Sequence, residues 1–236
     1  MWGFVLLLLL FAFSLASLAQ GGPKHLFYST SGAGAELFAI HVTGSKITTT
    51  DIGPTFGGSC ASLAMSPGGT LYSMCGPLFG AQQLATIDPK TGQANLFGEA
   101  VSGLAVMAMA FAPNGVLYAV GDCNFSSVSL DCTPGSDPNY NSLYTVNVTT
   151  GALTRVGSTG APQFFMDLAF DRSGNLFGVT TTLNFNTFLP AVLYRIDPAT
   201  GKATKIVNLV GSNTVMALAF DRDGMPPISY KARVSI

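Results

Sequence analysis

Carboxylates are the side chains of this 236-residue chain best suited to chemistry, because the chain has only two histidines, His25 and His41. Neither a Ser-His-Asp triad nor a histidine-based metal cluster can be assembled from these two residues. Carboxylate oxygens bind hard cations such as Ca²⁺ and also act as general bases. We therefore take Asp167, Glu99 and Asp122 as candidate ligand-binding residues, with Asp167 as the candidate metal ligand.

Asp167 is unusual among equivalent residues of an internal repeat. The phrase "MDLAF" places a carboxylate where related phrases place Ser62, Ala108 and Ala217. A functional interpretation makes Asp167 a Ca²⁺ ligand or a general base. A structural interpretation makes it a hydrogen-bonded group that closes a wet channel, and we favour this one because buried polar groups are usually hydrogen-bonded.

Other polar phrases give weaker indications. "NFNTF" mixes amides with aromatic rings, as carbohydrate-facing loops often do, so Asn184 and Asn186 are also candidate ligand-binding residues. Asp171, Asp221 and Asp223 occur in phrases such as "DRDG", but the acidic spacing of a full calcium loop does not follow them. These three aspartates are predicted to cap turns.

A two-part repeat must position these side chains. "LATIDPKTGQANLFG", "LYTVNVTTGALTRVG" and "LYRIDPATGKATKIV" share one pattern, and phrases such as "AMAFAPNGVLYAV" and "DLAFDRSGNLFGV" lie between them. Alternating apolar residues predict short strands, and "DPATG" predicts a tight turn with Asp as the cap and Gly in the left-handed conformation. One unit is predicted to contain four strands, over residues 164–170, 175–180, 191–197 and 203–208.

Four copies of this unit, without a helical pattern between them, predict an all-β fold, namely a β-propeller built from four-stranded blades. Residues 215–220 repeat the inner-strand phrase without a hairpin after it. Pairing with the strand at Leu26 would close a ring of four blades with strands from both termini. The alternative is a fragment of a larger propeller, because two prolines make the last 12 residues or so atypical.

"LYRIDPATG" followed by "ALAFDRDG" resembles the repeats of secreted β-propellers in the broad group of NHL-like, gluconolactonase-like and quinoprotein-like domains. The resemblance covers roughly residues 26 to 224 and implies the propeller fold. It also implies an alternative function, a divalent-metal-dependent hydrolase of lactonase type. In that case Asp167 and oxygen ligands from Glu99, Asp122 and Asn184 would surround the axis.

The first 19 residues are predicted to be a secretion signal. "MWGFVLLLLLFAFSLASLAQ" joins an apolar run to the small residues Ser17 and Ala19, which suits cleavage before Gln20. An uncleaved anchor is the competing interpretation, because the run approaches the length of a membrane span. Cleavage leaves a domain of residues 20–236 that is secreted, either extracellular or periplasmic, without a later membrane span.

Export predicts that the four cysteines form disulfides, because thiols tend to pair in oxidising compartments. A turn at Pro67 would place Cys60 opposite Cys75, and Cys123 and Cys132 enclose a short polar loop. We predict these two disulfides.

Two short motifs predict modification. "NFS" at Asn124 and "NVT" at Asn147 are acceptors for N-linked glycans if the host is eukaryotic.

Loop lengths and charge favour one face of the propeller for binding. The longest connections, including "GDCNFSSVSLDCTPGSDPNYN", all fall at one end of the predicted blades, and that end collects aspartate and glutamate but few cations. We expect an acidic face that attracts cations or amines, with Ca²⁺ as the cofactor to consider. The near balance of 11 basic and 12 acidic residues argues against nucleic acid.

The sequence thus predicts a secreted, non-catalytic propeller that binds an extracellular protein, a glycan or a small ligand on this face.

Overall fold

The computed structural model describes residues 15–18, 24–31, 35–43, 46–55, 59–77, 80–123, 140–181 and 190–209, together with residue 215 and residues 217–220. Over these ranges the chain forms strands, and no helix occurs among them. The described part accordingly contains no helix that could span a membrane.

The strands form four antiparallel sheets, one after another along the chain, and these are the blades of a four-bladed propeller. Blade 1 contains β1 (Leu15–Leu18), β2 (Lys24–Thr30), β3 (Glu36–Thr43) and β4 (Lys46–Pro54). Blade 2 contains β5 (Ser59–Cys60), β6 (Ala64–Met65), β7 (Leu71–Gly76), β8 (Gln83–Ile87) and β9 (Ala94–Leu96), and both β5 and β6 pair with β7. Blade 3 contains β10 (Leu104–Phe111), β11 (Leu117–Cys123), β12 (Ser142–Val146) and β13 (Leu153–Ser158). Blade 4 contains β14 (Phe164–Phe170), β15 (Leu176–Thr181), β16 (Val192–Ile196) and β17 (Ala203–Asn208).

This architecture confirms the predicted all-β propeller with four-stranded blades. The bounds of the blade 4 strands agree with the prediction to within one residue at each end. The agreement has a simple cause, because period-two alternation and Gly- or Pro-containing turns are both local signals.

Apolar side chains hold neighbouring blades together. Each of the three junctions between consecutive blades has its own buried cluster with residues from both blades, including Leu37 and Leu71, Met74 and Leu117, and Leu143 and Phe165. An aromatic pair recurs at two junctions, where the ring of Phe111 lies 5.4 Å from Tyr72 and that of Phe170 lies 5.4 Å from Tyr118. In blades 3 and 4 the inner strand therefore packs on the second strand of the blade before it.

The repeated "DPATG" phrase forms the predicted capped turn. The carboxylate of Asp88 accepts the N–H of Lys90 at 2.8 Å, and Asp197 does the same for Ala199 at 2.9 Å. Asn147 takes this place in blade 3, where its Oδ1 accepts a main-chain N–H at 2.8 Å. Gly92, Gly151 and Gly201 close the three turns with φ of 80°, 74° and 81°, in the left-handed region that favours glycine.

The same turns also dock against the preceding blade. A Cβ on Gly201 would lie 2.6 Å from the carbonyl oxygen of Gly157, and a Cβ on Gly157 would overlap the carbonyl of Thr200. Next to this contact, the N–H of Ala203 in β17 donates to the carbonyl of Thr159 at 3.0 Å. The repeated phrase is thus a blade-to-blade joint, and glycine is needed there because two backbones touch.

A disulfide between Cys60 and Cys75 joins β5 to β7, as predicted, with both residues fully buried. The two Cα atoms are 4.1 Å apart across directly paired positions of the strands. Of the other predicted pair, Cys123 ends β11 and Cys132 lies outside the described residues, so that disulfide stays a prediction.

Blade 1 differs from the prediction at its inner edge. β1 pairs with β2, with Leu18 opposite Leu26 and Leu15 opposite Ser29. The sequence pattern predicts residues 215–220 at this edge, and that prediction is wrong here because β1 occupies the edge instead. Residues 217–220 instead form irregular structure beside blade 4.

Candidate functional site

Alternating strand directions sort the connections onto two faces. One face, here called the turn face, carries residues 66–70, 88–93, 112–116, 147–152, 171–175 and 197–202. The opposite face, here called the loop face, carries the strand ends between which the second-to-third connections run, with the described residues 31, 35, 77, 80–82, 140–141 and 190–191. The longest connections therefore leave from one end of the scaffold, although residues 124–139 and 182–189 lie outside the described ranges.

Asp167 is buried in β14, with 1% of its surface exposed. Its Oδ1 accepts the N–H of Leu168 at 2.9 Å, and its Oδ2 accepts the N–H of Leu218 at 2.7 Å. Hydrogen bonds from main-chain N–H groups to a carboxylate are charge-assisted and stronger than neutral ones. Asp167 therefore ties residues 217–220 to blade 4 through Oδ2, and both of the oxygens that a metal would need accept main-chain N–H groups.

Ser62 performs a related task at the equivalent position of blade 2. Its Oγ accepts the N–H of Met74 at 3.1 Å, and its carbonyl accepts the hydroxyl of Ser73. Blade 3 has Ala108 there, with no side-chain polar atom. The position thus holds main chain in place in two blades, and Asp167 reaches farther because its carboxylate is longer.

A buried polar cluster joins blades 3 and 4 at the loop face. The Nδ2 of Asn141 donates to the carbonyls of Ala161 and Gln163, at 2.8 Å and 2.6 Å. The Nε2 of Gln163 donates to the carbonyl of Pro190 at 3.1 Å, and its Oε1 accepts the hydroxyl of Thr180 at 3.2 Å. Asn141 ends the connection from β11, and Pro190 lies near the end of the connection from β15. One glutamine therefore holds the C-terminal ends of both long connections.

The sequence patterns did not indicate this cluster. Asn141 precedes its third strand in the same way that Gln82 and Ala191 precede theirs. Gln82 also reaches the next blade, because its Oε1 accepts the N–H of Val106 at 2.7 Å. The available signal was an amide side chain in two of three equivalent positions, each immediately before a third strand.

Asn141 also has an unusual backbone. Its φ is 43°, and no other non-glycine residue in the described part of the chain has a positive φ. Asparagine tolerates this conformation better than most residues. The positive φ turns the chain into β12 and leaves the amide buried.

The other predicted acidic residues do not gather around Asp167. Glu99 is exposed in the connection from β9 to β10, where its N–H donates to the carbonyl of Thr150 at 3.2 Å. Asp122 lies in β11 opposite Ala105. Asn184 and Asn186 fall outside the described residues. Within the described ranges, no group of three or more His, Cys, Asp or Glu side chains is placed to hold a metal ion.

Three aspartates on the turn face cap turns, namely Asp88, Asp171 and Asp197, whereas Asp221 and Asp223 of the same prediction lie outside the described residues. Asp171 accepts the N–H of Asn175 at 2.8 Å, which agrees with the turn-capping prediction. At Asp197, hydrogen bonds from the N–H of Ala199 and the hydroxyl of Thr200 lower the pKa of the carboxyl below its ordinary value.

Of the two glycosylation candidates, Asn147 is exposed on the turn face and Asn124 lies outside the described residues.

Two open clefts lie on the turn face. The larger, about 480 Å³, is lined by polar residues of blade 2 that include Thr70, Thr86, Asp88 and Asn95. The smaller, about 230 Å³, lies between blades 3 and 4. Both are shallow surface features, and neither brings together the candidate residues of the loop face.

No protein-family model matches the chain, and no curated protein matches it. Solved structures do match its fold. The GH43_1 enzyme from Xanthomonas citri complexed with xylose is 10% identical with a TM-score of 0.55, over 90% of this chain and 79% of that one. At this identity the likeness shows the propeller fold alone.

Two further matches have lower TM-scores. A protein of unknown function from Bacteroides caccae is 17% identical with a TM-score of 0.46, over 86% of this chain and 64% of that one. Virginiamycin B lyase from Staphylococcus aureus is 14% identical with a TM-score of 0.48, over 90% and 61%. The chain spans less than two thirds of the length of these two proteins.

Proposed function

We propose that this protein is a secreted binding module that presents its ligand site on the loop face. The observation that carries the proposal is the tie made by Gln163, which holds the ends of the two longest connections next to each other. Loops that leave a rigid scaffold at fixed points are a common way to build a binding site. The buried cluster makes the scaffold rigid where the loops begin.

A glycan is the ligand class to test first. The segment "NFNTF", which belongs to the second of these connections, contains Asn184 and Asn186. Amides hydrogen-bond with hydroxyl groups, and aromatic rings supply apolar area. The shortage of cations between Lys90 and Arg155 favours an amine-bearing sugar. A small ligand or an extracellular protein with basic groups would use the same features.

The test uses isothermal titration calorimetry with two probes of equal length, glucosamine oligosaccharides and neutral N-acetylglucosamine oligosaccharides. We expect binding of the charged probe that weakens as salt is added. Asn184→Ala/Asn186→Ala should abolish it, and Asn95→Ala/Asn114→Ala, which removes exposed amides from the turn face, should not. Absence of binding to both probes would contradict a glycan as the ligand.

Gln163→Ala tests the role of the scaffold. It removes the hydrogen bond from Nε2 to the carbonyl of Pro190, keeps the main-chain carbonyl that accepts from Asn141, and changes no residue of either loop. We expect weaker binding of the glucosamine probe with the fold retained, because the ligand must then order the loops itself. Unchanged affinity in the folded variant would argue against the proposal.

The alternative function, a metal-dependent hydrolase of lactonase type, needs a cation at Asp167. The geometry favours the binding module, because both carboxylate oxygens already accept main-chain N–H groups. Titration with Ca²⁺ separates the two functions. A strong, saturable heat that is lost in Asp167→Asn would support the hydrolase, and absence of heat would remove Ca²⁺ from consideration.

Secretion is part of the proposal. Cys60 and Cys75 form a disulfide, and disulfides persist mainly in oxidising compartments. A mass measurement of the exported protein should give a chain that begins at Gln20. If the host is eukaryotic, the exposed Asn147 should carry a glycan, and Asn147→Gln should remove the corresponding mass.

A further inference from the structure

Two separate segments share the contacts that a single inner strand makes elsewhere. In blade 4, β14 pairs with β15 in its own blade, with Phe170 opposite Leu176. The same strand packs against blade 3, where Phe170 contacts Tyr118. In blade 1, pairing and packing are made by different parts of the chain.

Residues 217–220 supply the packing contacts. The ring of Phe220 lies 5.0 Å from Phe177 of β15, which repeats the contact of Phe170 with Tyr118 one blade later. Leu218 is 5% exposed and belongs to an apolar cluster with Val179 and Ala191 of blade 4. Its N–H is fixed by Asp167. The segment therefore lies where the inner strand of a following blade would lie.

β1 supplies the pairing contacts. It occupies the edge of β2, with Leu18 opposite Leu26. This strand lies in the first 19 residues, which the sequence predicts to be a cleaved signal. Cleavage before Gln20 would leave the main-chain donors and acceptors at this edge of β2 unpaired beside the buried residues Tyr28 and Ser29.

We propose that removal of β1 transfers residues 215–220 onto the vacated edge of β2, so that one strand makes both sets of contacts. The exchange restores the main-chain hydrogen bonds of β2 and closes the ring. The segment is already positioned for this role, because Asp167 and blade 4 hold it where the inner strand of a following blade would lie. The proposal depends on signal cleavage and is independent of the proposed ligand.

The other blades fix the register of the exchanged strand. Blade 4 pairs Phe170 with Leu176 and, after a bulge, Phe165 with Thr180. The same spacing in blade 1 places Phe220 opposite Leu26 and Val215 opposite Thr30. In blade 2 the equivalent pair is Cys60 and Cys75, which forms a disulfide. The native chain thus provides a template for a diagnostic cross-link.

The experiment introduces Thr30→Cys/Val215→Cys into the full chain. The protein is produced without export, so that residues 1–19 are retained, and is oxidised after purification. Ala16→Pro/Ser17→Pro is added to break β1, because one of two adjacent residues must donate its N–H toward β2. The matched control is Ala16→Val/Ser17→Thr, which suits a strand. Peptide mapping measures the disulfide between residues 30 and 215.

We expect the new disulfide in most molecules of the proline variant and in few of the control. The exported chain that begins at Gln20 should also contain it. Thr30→Cys/Ala217→Cys serves as an off-register pair and should remain mostly reduced. The native Cys60–Cys75 disulfide, mapped in every sample, reports that oxidation and blade 2 are intact.

Three results would overturn the proposal. One is an equal yield of the new disulfide in the proline variant and the control, and another is its absence from the exported chain when Cys60–Cys75 is present. The third is loss of the β-sheet signal in circular dichroism when the two prolines are placed in the native-cysteine background. In that case no segment replaces β1.

Discussion

The two ends of the blades follow different rules. At the turn face, three turns repeat one arrangement, in which an Asp or Asn cap and a left-handed glycine dock on the preceding blade. At the loop face, the equivalent residues Gln82, Asn141 and Ala191 differ, and each junction has its own contacts. Repetition therefore marks the scaffold, and variation marks the end where a specific function can be placed.

The largest loss of stability is expected from removal of the disulfide between Cys60 and Cys75, which lies at the loop-face end of blade 2. We expect Cys60→Ala/Cys75→Ala to lower the free energy of unfolding by about 3 kcal/mol, because the bridge closes a short loop and both residues are buried. Urea denaturation measures the change. A loss below 1 kcal/mol would show that β5 and β6 hold the inner edge of blade 2 without the bridge.

The next largest loss of stability is expected at Gly201, where a turn of the turn face contacts the preceding blade. Gly201 and Gly174 share a φ of 81°, but a Cβ on Gly201 meets the backbone of Gly157 and a Cβ on Gly174 meets open space. Gly201→Ala should cost about 2–3 kcal/mol and Gly174→Ala about 1 kcal/mol, which is the strain of the left-handed conformation alone. Equal losses in thermal denaturation would mean that the blade contact does not contribute.

Asn141 in the buried loop-face cluster and Asn114 in an exposed turn of the turn face allow the two faces to be compared directly. Asn141→Gly keeps the positive φ and removes two buried hydrogen bonds, so it should cost about 1–2 kcal/mol. Asn114→Gly removes one bond from an exposed cap and should cost less. Chemical denaturation of both variants measures the difference, and a larger loss at Asn114 would contradict the rigid loop-face cluster.

The smallest effect is expected at Asp197, where only the charge is changed. Asp197→Asn should fold normally, because Asn147 caps the equivalent turn with an amide. The pKa of Asp197 is lowered in the folded protein, so its contribution to stability is present above the ordinary aspartate pKa and is lost as pH falls through the folded value. The stability of the variant should therefore fall less steeply in acid, as thermal melts between pH 2 and pH 5 would show.

Local patterns were enough to predict much of the scaffold. The strands of blade 4, the caps at Asp88 and Asp197 and the disulfide between Cys60 and Cys75 all depend on residues close in the sequence. The inner edge of blade 1 could not be predicted in this way. Two segments from opposite ends of the chain fit that edge, and local propensity does not choose between them.

The sequence by itself determined the repeating hairpin, since alternation and turn chemistry act over a few residues. Only the tertiary structure decided that Asp167 accepts the N–H of a residue far along the chain, and that Gln163 joins the exits of two connections. Such contacts depend on how blades meet, and side-chain type alone does not specify which main-chain groups will lie within hydrogen-bond distance.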